Sequence, residues 1–377
     1  MKIQISHKVE DRILKMAQDR TQNISIMAGI LYPITAGLAY DDRNGLERAA
    51  YTFQRRMEGG GFHYSFDQSL IGSVLIGVIA QQQLQQQIPP VIMDTMITES
   101  RVFHEGELES DPFLTDIKVP QVSQGDYTLT NTRYLKYDVF QYDEAQDYQS
   151  IYIPRIGVCD HRYSFPCMKV GGRVQMAVTP FKISTCRAPL EKAQGRVLIL
   201  GLDLGYFAYL ASRRENVSSI TIVEKSGDAL DLFRQHILPQ FANADKIELI
   251  QEDPLSYMKE AQDGAFDFCF VDFWDGDHDA ADYLRLKQVC RRFQKTALAW
   301  RMENTLVQSL EGYAATAVMN EYAKESGKGT APENADVSDD ERFKKEFIEK
   351  LLENAVITVP EQIDALMDTG RLIEMIS

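Results

Sequence analysis

The second half of the chain alternates short apolar runs with amphipathic stretches. The apolar runs predict buried strands at Val197–Leu200, Ser219–Val223, Lys246–Ile250, Phe266–Val271 and Thr296–Trp300. Helical spacing of apolar residues between them predicts helices at roughly Tyr206–Arg214, Gly227–Phe241, Pro254–Ala261 and Ala280–Phe293. Strands and helices that alternate with short connections are typical of a parallel sheet covered on both faces. The pattern therefore predicts an α/β fold with a doubly wound, mostly parallel Rossmann-like sheet.

The first half of the chain shows two other patterns of apolar and polar residues. Helical spacing at Val9–Gln18, Asn44–Arg56 and Asp67–Leu84 predicts a helical amino-terminal region over residues 1–110. Over residues 111–190, Tyr, Thr, Val and Ile alternate with Gly, Pro, Asp and Asn, which predicts a small β-rich region. Residues 191–377 then form the Rossmann-like domain with a helical carboxyl-terminal extension. In that extension the acidic stretch 327–340 is interpreted as a loop. Ala355–Pro360 is interpreted either as a further strand of the Rossmann-like sheet or as a helix start.

Composition narrows the classes of partner. The 377 residues carry 55 acidic and 40 basic side chains, a formal net charge of −15, with no Lys/Arg-rich stretch. A nucleic-acid partner needs a basic footprint, so this class is excluded. An acidic surface instead suits small substrates that carry positive charge.

The sequence also argues against a membrane or an oxidising compartment. The amino terminus is charged and periodic, unlike a signal peptide, and the longest apolar run, Leu70–Ala80, is too short to span a bilayer. The five cysteines form no CxxC pair, so we expect reduced thiols packed as small hydrophobic residues. We therefore expect a cytoplasmic protein.

The turn after the first strand of the alternating half carries an acid where a glycine is usual. In "RVLILGLDLGYFAYLAS", the positions of the dinucleotide pattern G-x-G-x-x-G are Gly201, Asp203 and Tyr206. A carboxylate about 4 Å from a phosphate would oppose it by about 4 kcal/mol at an effective dielectric of about 20. NAD and FAD are therefore disfavoured. S-adenosylmethionine carries an ammonium and a sulfonium and no phosphate, so Asp203 can attract it while Gly201 and Gly205 give backbone access. The alternative is that Asp203 caps the helix beginning near Gly205.

The next two strands each end near an acid. Glu224 ends the second strand, where a carboxylate can accept hydrogen bonds from both ribose hydroxyls of a nucleoside. Asp253 follows the third strand and can accept a hydrogen bond from an adenine amino group. Because Asp253 precedes Pro254, it is also a good helix N-cap, and both interpretations stay open.

The fourth strand runs into an acidic, aromatic segment, "FDFCFVDFWDGDHD". Asp272 and Asp275, with the Trp274 face between them, can hold an amine and accept its proton. The acids also suggest a metal, but a calcium loop would need glycine at the position of Ala280 and glutamate at that of Leu286. No metal is therefore predicted, and the nearby His278 reads as a loop residue.

Taken together, "VLILGLDLGYFAYLA", Glu224, "IQEDPLSYM" and "FDFCFVDFWDG" resemble the class I S-adenosylmethionine-dependent methyltransferase superfamily over roughly Gly195–Trp300. Within it the chain is most similar to the spermidine-synthase-like branch. The resemblance implies that Asp203 and Glu224 hold the amino-acid and ribose parts of the cofactor, that Asp253 lies by the adenine, and that Asp272 and Asp275 face the acceptor.

An upstream segment, "GGRVQMAVTPFKISTCRAPL", is similar to the β-hairpin that precedes the fold in those synthases, with Gln175 in register as a substrate-binding candidate. The acids and tyrosine that grip a polyamine in that segment are replaced by "TPFKI". This departure counts against aminopropyl transfer from decarboxylated S-adenosylmethionine.

Three functions follow as expectations. The first is a cytoplasmic S-adenosylmethionine-dependent methyltransferase acting on an unidentified small molecule, which the charge balance would favour as a cation. The second is an aminopropyltransferase-like enzyme. The third is a non-catalytic cofactor-binding or regulatory protein, which the altered glycine turn favours. The regions before residue 190 would shape the acceptor pocket or a homodimer contact.

Overall fold

The structure is a computed structural model that describes residues 1–26, 29–30, 45–81, 88–274, 279–327, 339–368, 371 and 374. Before the Rossmann-like sheet its helices are His7–Ile26, Leu46–Gly59, Phe66–Gln81, Pro90–Glu99, Pro112–Asp116 and Pro180–Lys192. From the sheet onward they are Tyr206–Ser212, Gly227–Leu232 with a π-helical continuation Phe233–Ile237 and single 3-10 turns Leu238–Gln240 and Ala244–Lys246, Pro254–Glu260, Ala280–Cys290, Glu303–Glu325, Asp339–Asn354 and Pro360–Leu366. Among all the described residues, no helix combines the length and apolarity needed to cross a membrane.

The strands of the described residues are numbered in chain order. They are β1 Lys2–Ile3, β2 Arg101–Phe103, β3 Val122–Gln124, β4 Tyr127–Tyr134, β5 Val139–Tyr148, β6 Ile151–Cys159, β7 Tyr163–Val170, β8 Arg173–Ala177, β9 Gly195–Leu200, β10 Val217–Glu224, β11 Ile247–Gln251, β12 Phe268–Val271, β13 Ala297–Trp300 and β14 Val356–Ile357.

The chain forms two compact units. The first comprises Met1–Asn23, Trp274–Arg292 and Met302–Ser377, and the second comprises Ile24–Phe273 and Phe293–Arg301. The boundaries near residues 110 and 190 that the sequence suggested fall inside the second unit, and as domain limits they stay a prediction.

The second unit contains a five-stranded parallel sheet in the order β11-β10-β9-β12-β13. In chain order this is 3-2-1-4-5, the arrangement of a doubly wound Rossmann-like fold. The residues of β12 and of Val197–Leu200 in β9 are all buried, so both faces of these strands are covered, as parallel sheets require. On one face the ring of Phe207 stacks on Phe270, with centroids 3.9 Å apart. The predicted α/β class and Rossmann-like sheet are confirmed.

Two smaller sheets precede the Rossmann-like sheet in the second unit. β3, β4, β7 and β8 form an antiparallel sheet, while β6 pairs antiparallel with β5 and parallel with β2. Aromatic residues including Phe103, Phe140, Tyr163 and Phe165 form one of their cores. The helical region and the small β region before the Rossmann-like sheet are thus both present. The helix Pro180–Lys192 then leads into β9.

The first unit contains the amino-terminal helix up to Asn23, later helices and a two-strand sheet. β1 pairs parallel with β14, placing Lys2 opposite Val356 and Ile3 opposite Ile357. Ala355–Pro360 contains both a strand and a helix start, because β14 is followed by a helix that begins at Pro360. The expectation that this strand would extend the Rossmann-like sheet is wrong, since β14 pairs with β1. Residues 328–338 of the acidic stretch lie outside the described residues.

Candidate functional site

The turn after β9 is held in a conformation that explains its glycines. Gly201, Asp203 and Gly205 all have positive φ, of 99°, 50° and 75°. A Cβ at Gly201 would collide with the carbonyl oxygen of Asp272, and a Cβ at Gly205 would collide with the ring of Phe233. Side-chain-free residues are therefore needed at both glycine positions. Gly205, and not Asp203, is the N-cap residue of the next helix, so the capping interpretation of Asp203 is wrong.

Lys182, in the helix Pro180–Lys192, lies beside this turn. Thr179 caps the helix by accepting a hydrogen bond from the Lys182 backbone N–H at 3.2 Å, and Pro180 occupies the first helical position. Both are favoured residues at a helix start. They fix Lys182 in the first turn, from which its side chain enters the protein interior and remains only 5% exposed.

Four buried charges meet at the carboxyl ends of β9, β12 and β13, and we call them the buried quartet: Lys182, Asp203, Asp272 and Arg301. The Lys182 Nζ lies 2.7 Å from Oδ2 of Asp203 and 2.7 Å from Oδ2 of Asp272. The Arg301 Nε binds the other oxygen, Oδ1, of Asp272. No member of the quartet is more than 8% exposed. Two carboxylates and two cations leave the quartet neutral when all four are ionised.

The two carboxylates of the quartet are not equivalent. Burial raises the pKa of Asp203, and the nearby Lys182 only partly opposes this effect. Burial also acts to raise the pKa of Asp272, but the adjacent Arg301 and Lys182 hold it below its ordinary value. Asp272 has two close cations where Asp203 has one, which accounts for the difference. A carboxyl with a lowered pKa is a weak proton acceptor, so this pairing opposes the predicted use of Asp272 as a base.

Glu224 lies at the end of β10, beside the same turn. Its Oε2 accepts a hydrogen bond from the Leu202 N–H at 3.1 Å, and its Oε1 accepts one from the Ser226 N–H at 2.8 Å. The residue is 6% exposed. An ionised carboxylate has about four acceptor positions, so about two remain open after these bonds. The turn thus orients a buried carboxylate that can still accept hydrogen bonds.

Asp253 and Gln175 lie in exposed positions. Asp253 follows β11 and caps the helix Pro254–Glu260, accepting a hydrogen bond from the Ser256 N–H at 2.8 Å. The capping interpretation is confirmed, and the adenine contact stays a prediction because an exposed capping carboxylate keeps acceptor positions. Gln175 lies on β8, at an edge of the antiparallel sheet.

Trp274, the second of two aromatic residues after β12, is buried in the first unit. Trp274 is 3% exposed and packs edge-on against Tyr283, with ring centroids 6.1 Å apart. Tyr283 in turn donates a hydrogen bond to Glu303 at 2.8 Å. Substrate contact by Trp274 stays a prediction. Asp275 and His278 lie outside the described residues.

Sequence reasoning missed two of the four quartet members. Lys182 is part of the "TPFKI" segment, which we interpreted only as a loss of polyamine-binding acids. Arg301 directly follows β13, and a charged residue at the carboxyl end of a parallel strand lies where ligands of open α/β sheets bind. That position was the available signal for Arg301.

The fold and the site define a Rossmann-like α/β protein with a cluster of buried charges at the carboxyl ends of its parallel strands. No family model and no curated protein matches the chain.

Solved structures give partial likenesses. A spermidine synthase in complex with the transition-state analogue AdoDATO is 13% identical with a TM-score of 0.31, over 40% of this chain and 58% of the other. The spermidine synthase of Thermotoga maritima is 14% identical with a TM-score of 0.30, over 40% of this chain and 59% of the other. A methyltransferase of Geobacter sulfurreducens is 19% identical with a TM-score of 0.26, over 34% of this chain and 62% of the other. The chain thus spans about three fifths of the length of these proteins.

Proposed function

We propose that the chain binds S-adenosylmethionine in the crevice beside β9 and β10 and transfers its methyl group to a small molecule. The observation that carries the proposal is the buried Glu224 carboxylate, fixed by two backbone N–H groups and left with open acceptor positions. The two adjacent hydroxyls of a ribose are donors of the kind that would fill them.

Charge supports the same class of ligand. Glu224, Asp203 and Asp272 contribute three negative charges, and Lys182 and Arg301 contribute two positive charges, which leaves −1 when all five are ionised. S-adenosylmethionine, with a sulfonium, an ammonium and a carboxylate, has one net positive charge. A diphosphate cofactor would add negative charge to a site that is already negative.

Methyl transfer requires little acid or base help, so the weak basicity of Asp272 does not exclude it. The acceptor attacks the methyl carbon in line with its bond to the sulfonium sulfur. That bond breaks, and the cofactor leaves as a neutral thioether. Alignment of the two reactants is then the main contribution of the protein. Aminopropyl transfer to a polyamine is less favoured, because Lys182 and Arg301 next to Asp272 oppose a cationic acceptor.

A second function has a specific observation in its favour. Asp203 and Asp272 are already paired with cations of the chain itself, which favours a cofactor-binding or regulatory protein without turnover. Cofactor binding without methyl transfer across a broad panel of acceptors would favour this function over the first.

The test of the proposed function is calorimetric titration of the full chain with S-adenosylmethionine, its demethylated product and NAD. We expect the first two to bind and NAD not to bind. Glu224→Gln keeps the size of the side chain and removes its charge, so binding should weaken about 10- to 100-fold. The matched control Glu248→Gln changes an exposed residue of β11 and should leave the Kd unchanged. Absence of binding to the native chain would refute the proposal.

A further inference from the structure

The quartet lies at the switch point of the sheet. Strand order reverses between β9 and β12, and ligands of open α/β sheets bind in the crevice at that point. Asp203 follows β9 and Asp272 follows β12, so the two strands on either side of the switch point each supply one carboxylate. The group that both carboxylates face at 2.7 Å is the Lys182 ammonium, which reaches them from a helix outside the sheet.

We propose that Asp203 and Asp272 form a binding subsite for a primary ammonium, and that Lys182 fills it as a tethered cation. The native chain therefore excludes free alkylammonium ligands from this position. For the proposed function, the inference excludes polyamines as methyl acceptors. In this respect only, it rests on the proposed function. The subsite itself does not depend on S-adenosylmethionine binding.

Geometry and charge support a subsite over a simple ion pair. Asp272 Oδ1 is held by Arg301, so its Oδ2 remains for an ammonium, and Lys182 donates to that atom. The Asp203 Oδ2 lies 2.7 Å from the same nitrogen, at a less favourable hydrogen-bond angle than the Asp272 oxygen. The lysine is thus placed better for the Asp272 carboxylate than for the Asp203 carboxylate. An ammonium on a shorter or freer chain can adjust to both.

Chemical rescue tests the proposal. Lys182→Ala removes three carbons and the ammonium, which are together the atoms of n-propylammonium. The variant leaves two buried carboxylates with a single cation, so its Tm should fall by on the order of 10 °C. Propylammonium should restore much of this loss in a saturable way, with a Kd in the millimolar range, roughly what four heavy atoms can provide.

Two variants serve as controls. Lys182→Met fills most of the space without a charge, so propylammonium should not raise its Tm beyond the effect of sodium chloride at equal ionic strength. Lys192→Ala removes an exposed lysine from the same helix and should show neither the loss nor the rescue. Rescue confined to Lys182→Ala supports an ammonium subsite.

Two outcomes would overturn the inference. One is a folded Lys182→Ala variant whose Tm rises no more with propylammonium than with sodium chloride. If the variant does not fold, the readout becomes its refolding yield, and the same failure of propylammonium to increase the yield overturns it. The other outcome is a saturable stabilisation of the native chain by spermidine. Rescue with no binding of S-adenosylmethionine would retain the subsite and reject only the proposed function.

Discussion

The second unit contains two sets of alternating acids and bases, one buried and one at the surface. The surface set is the histidine cluster of His104, His161, Asp160, Asp67 and Glu109. Asp160 lies 2.7 Å from Nδ1 of His104 and 2.9 Å from Nδ1 of His161. The other ring nitrogens lie 3.2 Å from Asp67 and 2.6 Å from Glu109. Each imidazole faces a carboxylate with both nitrogens, so the arrangement is complete only when both histidines are protonated.

The distances in the two sets are alike, and the difference is burial. In the quartet the side chains are 4–9% exposed, whereas those of the histidine cluster range from 16% for His161 to 52% for His104. Water screens the surface set, so its pairs contribute little and respond to pH. In the quartet each charge depends on the others, because an unpaired buried charge is strongly destabilising. Burial rather than distance therefore determines which set fixes the structure.

The largest expected effect is in the quartet. Asp272→Asn leaves Lys182 and Arg301 with one carboxylate between them, and we expect a loss of about 3–5 kcal/mol in the free energy of unfolding. Urea unfolding measures it. Asp245→Asn, the same change at an exposed site, should alter this free energy by less than about 0.5 kcal/mol. A loss below about 1 kcal/mol for Asp272→Asn would mean that water reaches the quartet and would remove the distinction.

An intermediate effect is expected from the histidine cluster. The hydrogen bond with Asp160 raises the pKa of His104. Burial opposes protonation of His161, but its bonds with Asp160 and Glu109 raise its pKa overall. The cluster's stabilisation is therefore complete below the unfolded pKa of about 6.5 and is lost as pH rises through the higher folded values.

We expect this loss to be at most about 1 kcal/mol per histidine, because the carboxylates of the cluster are 33–43% exposed and are screened by water. The measurement is the free energy of unfolding between about pH 6 and pH 9. The double variant His104→Gln/His161→Gln should flatten this part of the pH profile, and the exposed control His63→Gln should not. An unchanged profile in the double variant would show that the cluster does not couple to folding.

The smallest effect is expected from an exposed pair. Arg234 and Asp231 lie 2.6 Å apart, closer than the lysine in the quartet is to its acids, with side chains 52% and 43% exposed. Arg234→Ala should therefore reduce the free energy of unfolding by less than about 0.5 kcal/mol. Urea unfolding at low and high salt checks this. A loss comparable to that of Asp272→Asn would contradict the primacy of burial over distance.

Much of the Rossmann-like sheet could be predicted from the sequence. Each of its five strands lies within two residues of the predicted bounds. The central strands β9 and β12 are buried on both faces, so each is marked by a continuous apolar run, whereas the edge strand β11 is only partly buried and contains Glu248. The glycine turn and the position of Glu224 at the end of β10 follow from the same pattern, since a parallel sheet places the carboxyl ends of its strands at one edge.

The pairing of the charges could not be predicted in this way. Lys182 lies 90 residues from Asp272 in sequence, and Arg301 lies 29 residues from it. Periodicity reports which face of a strand or helix is apolar, and it carries no information on which distant side chain meets a given carboxylate. Asp203 thus reads as a ligand contact or a helix cap in the sequence, whereas its partner in the structure is a lysine from the preceding helix.

The sequence by itself determined the class of fold, the order of its strands along the chain and the turn in which Asp203 stands. These depend on local patterns of apolar residues and on glycine conformation, which short stretches encode. Only the tertiary structure decided that the switch point is filled by Lys182 and Arg301, and that β14 pairs with β1. Both depend on contacts between segments far apart in sequence, where burial and charge balance are properties of the assembled chain.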